Sequence, residues 1–288
     1  MNATIESEFG GAQTVEIDGE EIETSLIMLT SPMSAAAEAY RRLRTNLRFA
    51  QPDADLRSVT VTSPAKGEGK TTTSTNLALA QAQAGTKTLL IDADLRKSRL
   101  HRFFDVPRTP GLTDALYDTP EPGDLPSPAD NLWLLPGGEE VTNPAALLGA
   151  QRMRRLIAQM EQSFDLVIVD TAPVLLFSDP LALVGHTDGA LLVASANTTD
   201  ARAFEQAASL LSDVKASRLG TVLNRFRPDQ QRAGYGYGYG YGYGYGYGYG
   251  YDYGYGQYDD ESIAAYHNGE NGRAASVADQ VRAWWNGG

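Results

Sequence analysis

The sequence predicts an α/β protein: a doubly wound, mainly parallel sheet with helices on both faces, followed by a disordered Tyr/Gly-rich C-terminal tail. Three observations predict it. Short apolar runs such as TLLIDAD (Thr88–Asp94) and DLVIVD (Asp165–Asp170) read as strands buried on both faces. Helical patterns alternate with these runs, which is the order of a parallel sheet. A glycine-rich turn and two aspartate motifs fall at the carboxyl ends of strands, where open α/β sheets bind their ligands.

The elements follow in chain order. Residues 1–29 read as a flexible acidic leader. Apolar residues at helical spacing (Ala39, Leu43, Leu47, Phe49) predict a helix over Ser34–Phe49. SVTVTS (Ser58–Ser63) is β-branched and alternating, so it reads as a strand. A glycine-rich turn leads into an Ala/Leu helix from Thr71 to about Ala84. After the Thr88–Asp94 strand, NLWLLPGG (Asn131–Gly138) reads as a short strand ending in a turn. A helix over Ala145–Ser163 precedes the Asp165–Asp170 strand. GALLVASA (Gly189–Ala196) and GTVLN (Gly220–Asn224) are two further strands, separated by a helix over Ala201–Val214.

Composition divides the 288 residues into a compact domain and polar ends. The net charge is −12. Met1–Thr24 holds seven acidic and no basic residues, and Asp252–Gly288 holds six acidic and two basic ones, so the middle is nearly neutral. That balance argues against a broad nucleic-acid surface. There is no cysteine, hence neither a disulfide framework nor a thiolate metal site. No apolar run approaches the ~20 residues that cross a bilayer, and the N-terminus lacks the pattern of a secretory signal. The domain is read as residues 30–228. Residues 229–260 carry a Tyr-Gly alternation, and residues 261–288 form a polar segment to which the sequence assigns no role. Glycine at every second position raises the entropy cost of ordering and removes half the side chains.

The turn SPAKGEGKTTT (Ser63–Thr73) lies between a strand and a helix. Gly67 and Gly69 let the backbone curl so that N–H groups across Gly67, Glu68, Gly69, Lys70, Thr71 and Thr72 point at phosphate oxygens. Lys70 would bridge the β- and γ-phosphates of ATP, and the Thr71 hydroxyl would coordinate Mg²⁺. This is the closing half of a P-loop, with Pro64 where the first glycine usually stands. In LLIDADLR, Asp92 and Asp94 stand two apart, which in extended chain places them on one face, toward the phosphate site. One could accept a proton and the other hold a cation through water. Asp170 ends another apolar strand, the position of the acid that helps hold Mg²⁺ in such folds.

These residues resemble the bacterial tyrosine kinases of capsule and exopolysaccharide synthesis, over about Thr30–Tyr255. The matching motifs are GEGKT, LLIDADLR (Asp92, Asp94, Arg96), VIVDTAP (Asp170, Pro173), a helix carrying Glu38, Arg41 and Arg44 at Glu-x-x-Arg-x-x-Arg spacing, and a C-terminal tyrosine cluster. The resemblance implies a P-loop NTPase fold and an ATP- and Mg²⁺-dependent, non-specific protein-tyrosine kinase. Asp92 would be the base, with Lys70 and Asp94 completing the catalytic group. Asp94 and Asp170 would organise Mg²⁺ with Thr71, Arg96 would support the site, and Asn224 corresponds to an adenine-contacting position. Glu38, Arg41 and Arg44 would lie at subunit contacts of a ring-like homo-oligomer. The acceptors would be Tyr235, Tyr237, Tyr239, Tyr241, Tyr243, Tyr245, Tyr247, Tyr249, Tyr251, Tyr253 and Tyr255, reached in trans. A separate membrane activator of the polysaccharide co-polymerase type would hold the cytoplasmic kinase at the inner face of the plasma membrane and couple it to polymer export.

Two other functions remain open to the sequence. One is an ATPase switch like the partitioning and division-site proteins, which carry a second lysine five residues before the P-loop lysine. Here that position is Ala65, and Lys66 follows one residue later. The other is an ATP-binding regulator without phosphotransfer, against which the retention of Lys70, Asp92 and Asp94 argues.

Overall fold

The computed structural model describes residues 13–17, 20–24, 26–50, 55–196, 198–214 and 218–226. The tail and its tyrosines lie outside the described residues. Two short strands, β1 (Gln13–Ile17) and β2 (Glu20–Thr24), pair antiparallel. A single turn, α1 (Ile27–Thr30), follows, and its Met28 is buried in the core. The stretch that reads as a leader thus contains an element that packs. Its signal is too short to be periodic: a single helical turn, Ile-Met-Leu-Thr, fixed by Met28 N donating to Asn76 Oδ1 at 3.1 Å.

The helix α2 (Ala35–Phe49) begins at Ser34, whose hydroxyl accepts from Ala37 N, an N-cap that satisfies an otherwise orphaned donor. Beyond it come β3 (Ser58–Thr62), α3 (Lys70–Ala82) and β4 (Thr88–Asp92). Next are the short helices α4 (Leu100–Phe103) and α5 (Leu112–Ala115), and the strand β5 (Leu132–Leu135). The helix expected over Ala145–Ser163 is two, α6 (Pro144–Leu148) and α7 (Gln151–Ser163), because the chain stops at Gly149 and restarts from an extended Ala150. The rest is β6 (Leu166–Asp170), α8 (Asp179–Val184), β7 (Gly189–Ser195), α9 (Ala201–Asp213) and β8 (Arg218–Asn224).

Six strands form one parallel sheet in the order β5-β4-β6-β3-β7-β8. Strand alternation sends successive side chains to opposite faces. Leu90 of β4 joins Val59, Val61, Leu77 and Leu79 on the side of α2 and α3, while Leu89 and Ile91 join Met153, Leu156 and Ile157 on the side of α7. Phe204 and Leu211 of α9 pack with Leu192 and Ala194 in a third cluster. Among the described residues, no helix is long and apolar enough to cross a membrane.

The register matters for function. Asp92 of β4 and Asp170 of β6 are direct Cα partners, and Asp170 also pairs with Val61 of β3. Three adjacent strands therefore deliver two carboxylates and the P-loop to the same end of the sheet.

Candidate functional site

The P-loop runs from the end of β3 into α3. Gly67 and Gly69 have φ of 84° and 95°, the left-handed region that glycine adopts without strain. At Gly69 a second constraint applies: a Cβ would collide with the Asn224 side chain. Asn224 Nδ2 donates to Glu68 O at 3.0 Å, and its Oδ1 accepts from Arg225 N. Asn224 thus braces the loop from β8 and does not line the cleft. The Glu68 side chain is turned inward, accepting from Ala65 N at 2.8 Å and from the Thr199 hydroxyl at 2.6 Å. It staples the loop to the end of β7, where Thr199 Oγ1 also accepts from Ser195 N.

A cleft of about 450 Å³ opens above this loop, lined in part by Gly67, Gly69, Lys70, Thr71, Thr72, Asp94 and Arg96. Lys70 Nζ is 2.8 Å from Asp94 Oδ2. Thr71 Oγ1 donates to Asp170 Oδ2 at 2.7 Å, and Ser74, one turn further along α3, donates to Asp170 Oδ1 at 3.0 Å. Burial pushes the Lys70 pKa down, but the negative charges of Asp170 and Asp94 more than reverse this and hold it above the ordinary lysine value.

Asp92 and Asp94 do not share the cleft wall as strand alternation predicts. β4 ends at Asp92 and the chain then turns, so only Asp94 faces the cleft. Asp92 is 1% exposed. Its Oδ2 accepts from the Ser98 hydroxyl and from the backbone N–H of Arg99 and Leu100, at 2.8, 3.0 and 3.0 Å, so it holds the start of α4. Its Oδ1 is buried with no hydrogen-bond partner. Burial lifts the Asp92 pKa to about 7, with the negative Asp170 adding to the rise. Burial likewise lifts Asp170 to about 6, although Lys70 opposes it.

The residues fit a divalent cation. Three buried carboxylates surround the half-buried Lys70 ammonium, and one carboxylate oxygen is orphaned. Among the described residues, no three acidic or histidine groups could grip an ion directly. Mg²⁺ suits such a site, because it keeps several waters and takes only one or two protein ligands beside substrate phosphates.

The far wall is less legible in the sequence. Phe103, Leu176 and Phe177 line it, and Leu176 is 57% exposed. Arg96 makes a bidentate pair with the fully buried Asp179, at 2.7 and 3.1 Å, and lies 4.2 Å over the Phe177 ring. Asp179 stands far from Arg96 in sequence and belongs to no motif, so only the fold reveals it as the partner.

The residues expected at ring contacts lie on α2, away from the cleft. Arg41 pairs with Glu38 at 3.4 Å, and Arg44 Nη1 donates to Ala80 O near the end of α3 at 3.2 Å.

A glycine-braced P-loop, a hydroxyl next to its lysine and acids on two neighbouring strands define a nucleotide-binding P-loop protein. The chain accordingly matches the CobQ/CobB/MinD/ParA nucleotide binding domain over residues 59–235. It is 38% identical over 208 residues to the tyrosine-protein kinase YwqD of Bacillus subtilis, covering 72% of this chain and 88% of that one. The kinase domain of the Escherichia coli tyrosine kinase ETK superposes with a TM-score of 0.67 at 32% identity, covering 75% of this chain and 84% of the other. The tyrosine-protein kinase wzc of Salmonella typhi is 32% identical over 204 residues, but they amount to 28% of that longer protein and 70% of this one. The chain belongs to the bacterial tyrosine kinases.

Proposed function

We propose that the protein transfers the γ-phosphoryl group of ATP to tyrosines of its own C-terminal tract, Tyr235 to Tyr255, on a neighbouring copy. The observation that supports this most directly is Lys70 held by Asp94 at the cleft floor, beside a Thr71 hydroxyl already aligned by Asp170. On nucleotide binding, Lys70 exchanges Asp94 for the β- and γ-phosphates. Thr71, and through water Asp94 and Asp170, would hold Mg²⁺, which when bound would supply positive charge to offset that of the phosphates. The phenol oxygen attacks the γ-phosphorus, the bond to the β,γ-bridging oxygen breaks, and ADP leaves.

The phenolic proton goes to Asp92, whose Oδ1 is its one carboxyl oxygen without a hydrogen-bond partner. A pKa lifted to about 7 suits a base working near neutral pH. Because Asp92 does not line the cleft, the proton reaches it through a water or after Asp94 moves. Asn224 acts on the nucleotide indirectly, through the loop it braces.

The copies assemble through Glu38, Arg41 and Arg44 into a ring that offers each tail to the next site. Multiple phosphates, each adding about −1.5 to −2 charges, repel and release the tail. A separate membrane protein of the polysaccharide co-polymerase type activates the kinase at the inner face of the plasma membrane, and the cycle regulates exopolysaccharide polymerisation or export. The test is tail phosphotyrosine after incubation with Mg-ATP, in wild type and after truncation beyond Asp229. Truncation is expected to leave ATP binding intact and remove most of the label. A truncated protein that keeps most of the label would exclude the tail as main acceptor.

A further inference from the structure

Tyr117 is set apart from the other tyrosine whose side chain the structure describes. Tyr40 is buried, while Tyr117 is 75% exposed. The single turn α5 is capped by Leu116, and Tyr117 N donates back to Asp114 O at 2.9 Å, so the next side chain leaves the core. Its ring lies against α7, with the Arg152 guanidinium 4.6 Å from the ring centroid. A cavity of about 500 Å³ opens there, lined by Leu116, Tyr117, Arg152, Arg155 and Gln159 among others, and none of its lining residues is acidic. Arg152 and Arg155 are three apart on α7 and so share one face. A phenol at the mouth of a cavity with two guanidiniums and no carboxylate is suited to holding a dianion in place.

We infer that Tyr117 is a phosphoacceptor on the folded domain itself, and that Arg152 and Arg155 hold the phosphate once it is made. The inference rests on the kinase reading above. The Tyr117 oxygen attacks the γ-phosphorus of ATP bound to another copy, the bond to the β,γ-bridging oxygen breaks, ADP leaves, and the phenolic proton passes to that copy's base. Transfer is between copies, because Tyr117 does not line its own nucleotide cleft and is fixed by folded chain on both sides. Charge-assisted, bidentate bonds from arginine to phosphate are about twice as strong as neutral ones. The modified side chain would therefore tie the end of α5 to α7, a change on the domain that is separate from the charge added to the tail.

The test is mass spectrometry of the full-length protein after incubation with Mg-ATP, with Tyr117→Phe as the assignment control. Phe keeps the ring under Arg152. The expected result is phosphate on Tyr117 in wild type, and on a Lys70→Met recipient only when active protein is added. A tyrosine phosphatase should remove it roughly tenfold more slowly from wild type than from an Arg152→Ala/Arg155→Ala variant, as expected for charge-assisted contacts. Tail tyrosines phosphorylated with Tyr117 unmodified would overturn the inference and leave the kinase reading standing. No phosphotyrosine anywhere would overturn both. Equal phosphatase rates would overturn the role of the two arginines.

Discussion

Lys70 sits among three buried carboxylates and is paired with Asp94, and its contacts set what each substitution does. Lys70→Met removes the partner of Asp94 and the cation aimed at the phosphates. Autophosphorylation should fall by at least about 10²-fold, the scale of losing one preorganised charge contact to a transition state, with circular dichroism confirming the fold. Asp92→Asn should retain ATP binding and lose roughly 10²–10⁴ in transfer rate if Asp92 is the base; transfer near the wild-type rate would remove it from that role. The same carboxyl makes stability depend on pH. Asp92 and Asp170 have folded-state pKa values of about 7 and about 6, above the ordinary aspartate value of 3.8. Folding therefore takes up protons in that interval. The associated stability is full below pH ~4 and is lost as pH rises through about 6 and then about 7. The melting temperature of the nucleotide-free protein should fall between pH ~5 and ~8, and Asp92→Asn should flatten the upper part of that fall. An unchanged slope in the variant would assign the pH dependence to other groups.

The P-loop and α3 depend on two glycines with similar backbones and different surroundings. A Cβ at Gly67 would meet nothing within 4 Å, whereas at Gly69 the Asn224 side chain stands in the way. Alanine at either position carries the cost of a left-handed backbone, about 1–2 kcal/mol. Gly69→Ala must also displace Asn224 and break its bond to Glu68 O. Calorimetry should show ATP affinity falling further for Gly69→Ala than for Gly67→Ala, and equal losses would mean that the Asn224 brace does not matter. The contrast also marks the limit of sequence reading. GEGKT between a strand and a helix identifies the loop, because the glycines act through local backbone. The Asn224 brace, the Glu68 staple to Thr199 and the Arg96–Asp179 pair join residues distant in sequence, so no local pattern announces them. Strand alternation puts Asp92 and Asp94 on one face only if the strand continues, and β4 ends at Asp92. The two-helix break at Gly149 and the buried Met28 of α1 escape the pattern for a related reason: each depends on a single residue rather than a period.

The proposed assembly is a property of the whole molecule, and α2 is the element on which it can be tested. Met33, just before α2, and Phe49 at its end are 93% and 69% exposed, and between them Glu38 and Arg41 form a partly exposed pair. Such a surface pair adds about 0.5 kcal/mol to folding at most, so its removal should leave the monomer intact. Arg41 also donates to Pro32 O, a bond local to the entry of α2, whereas the Arg44 guanidinium reaches across to α3 and caps it through Ala80 O. Losing that bond costs about 1 kcal/mol and loosens the helix that carries the P-loop. A Glu38→Ala/Arg41→Ala variant is therefore the cleaner probe of the contact. A mixed-sign surface that meets a different surface on the next copy closes into a ring when the rotation permits. The double variant should be monomeric by light scattering, keep the wild-type melting temperature within about 2 °C, consistent with the small pair energy, and autophosphorylate at a rate that rises with protein concentration. At a dilution where the double variant labels itself little, mixing it with a Lys70→Met protein of intact α2 should leave the recipient's tail nearly unlabelled, whereas wild-type donor labels it. An unchanged oligomer would remove α2 from the contact. A monomer whose rate ignores concentration would mean that each tail reaches its own Lys70 cleft, and the ring would then be unnecessary for the chemistry.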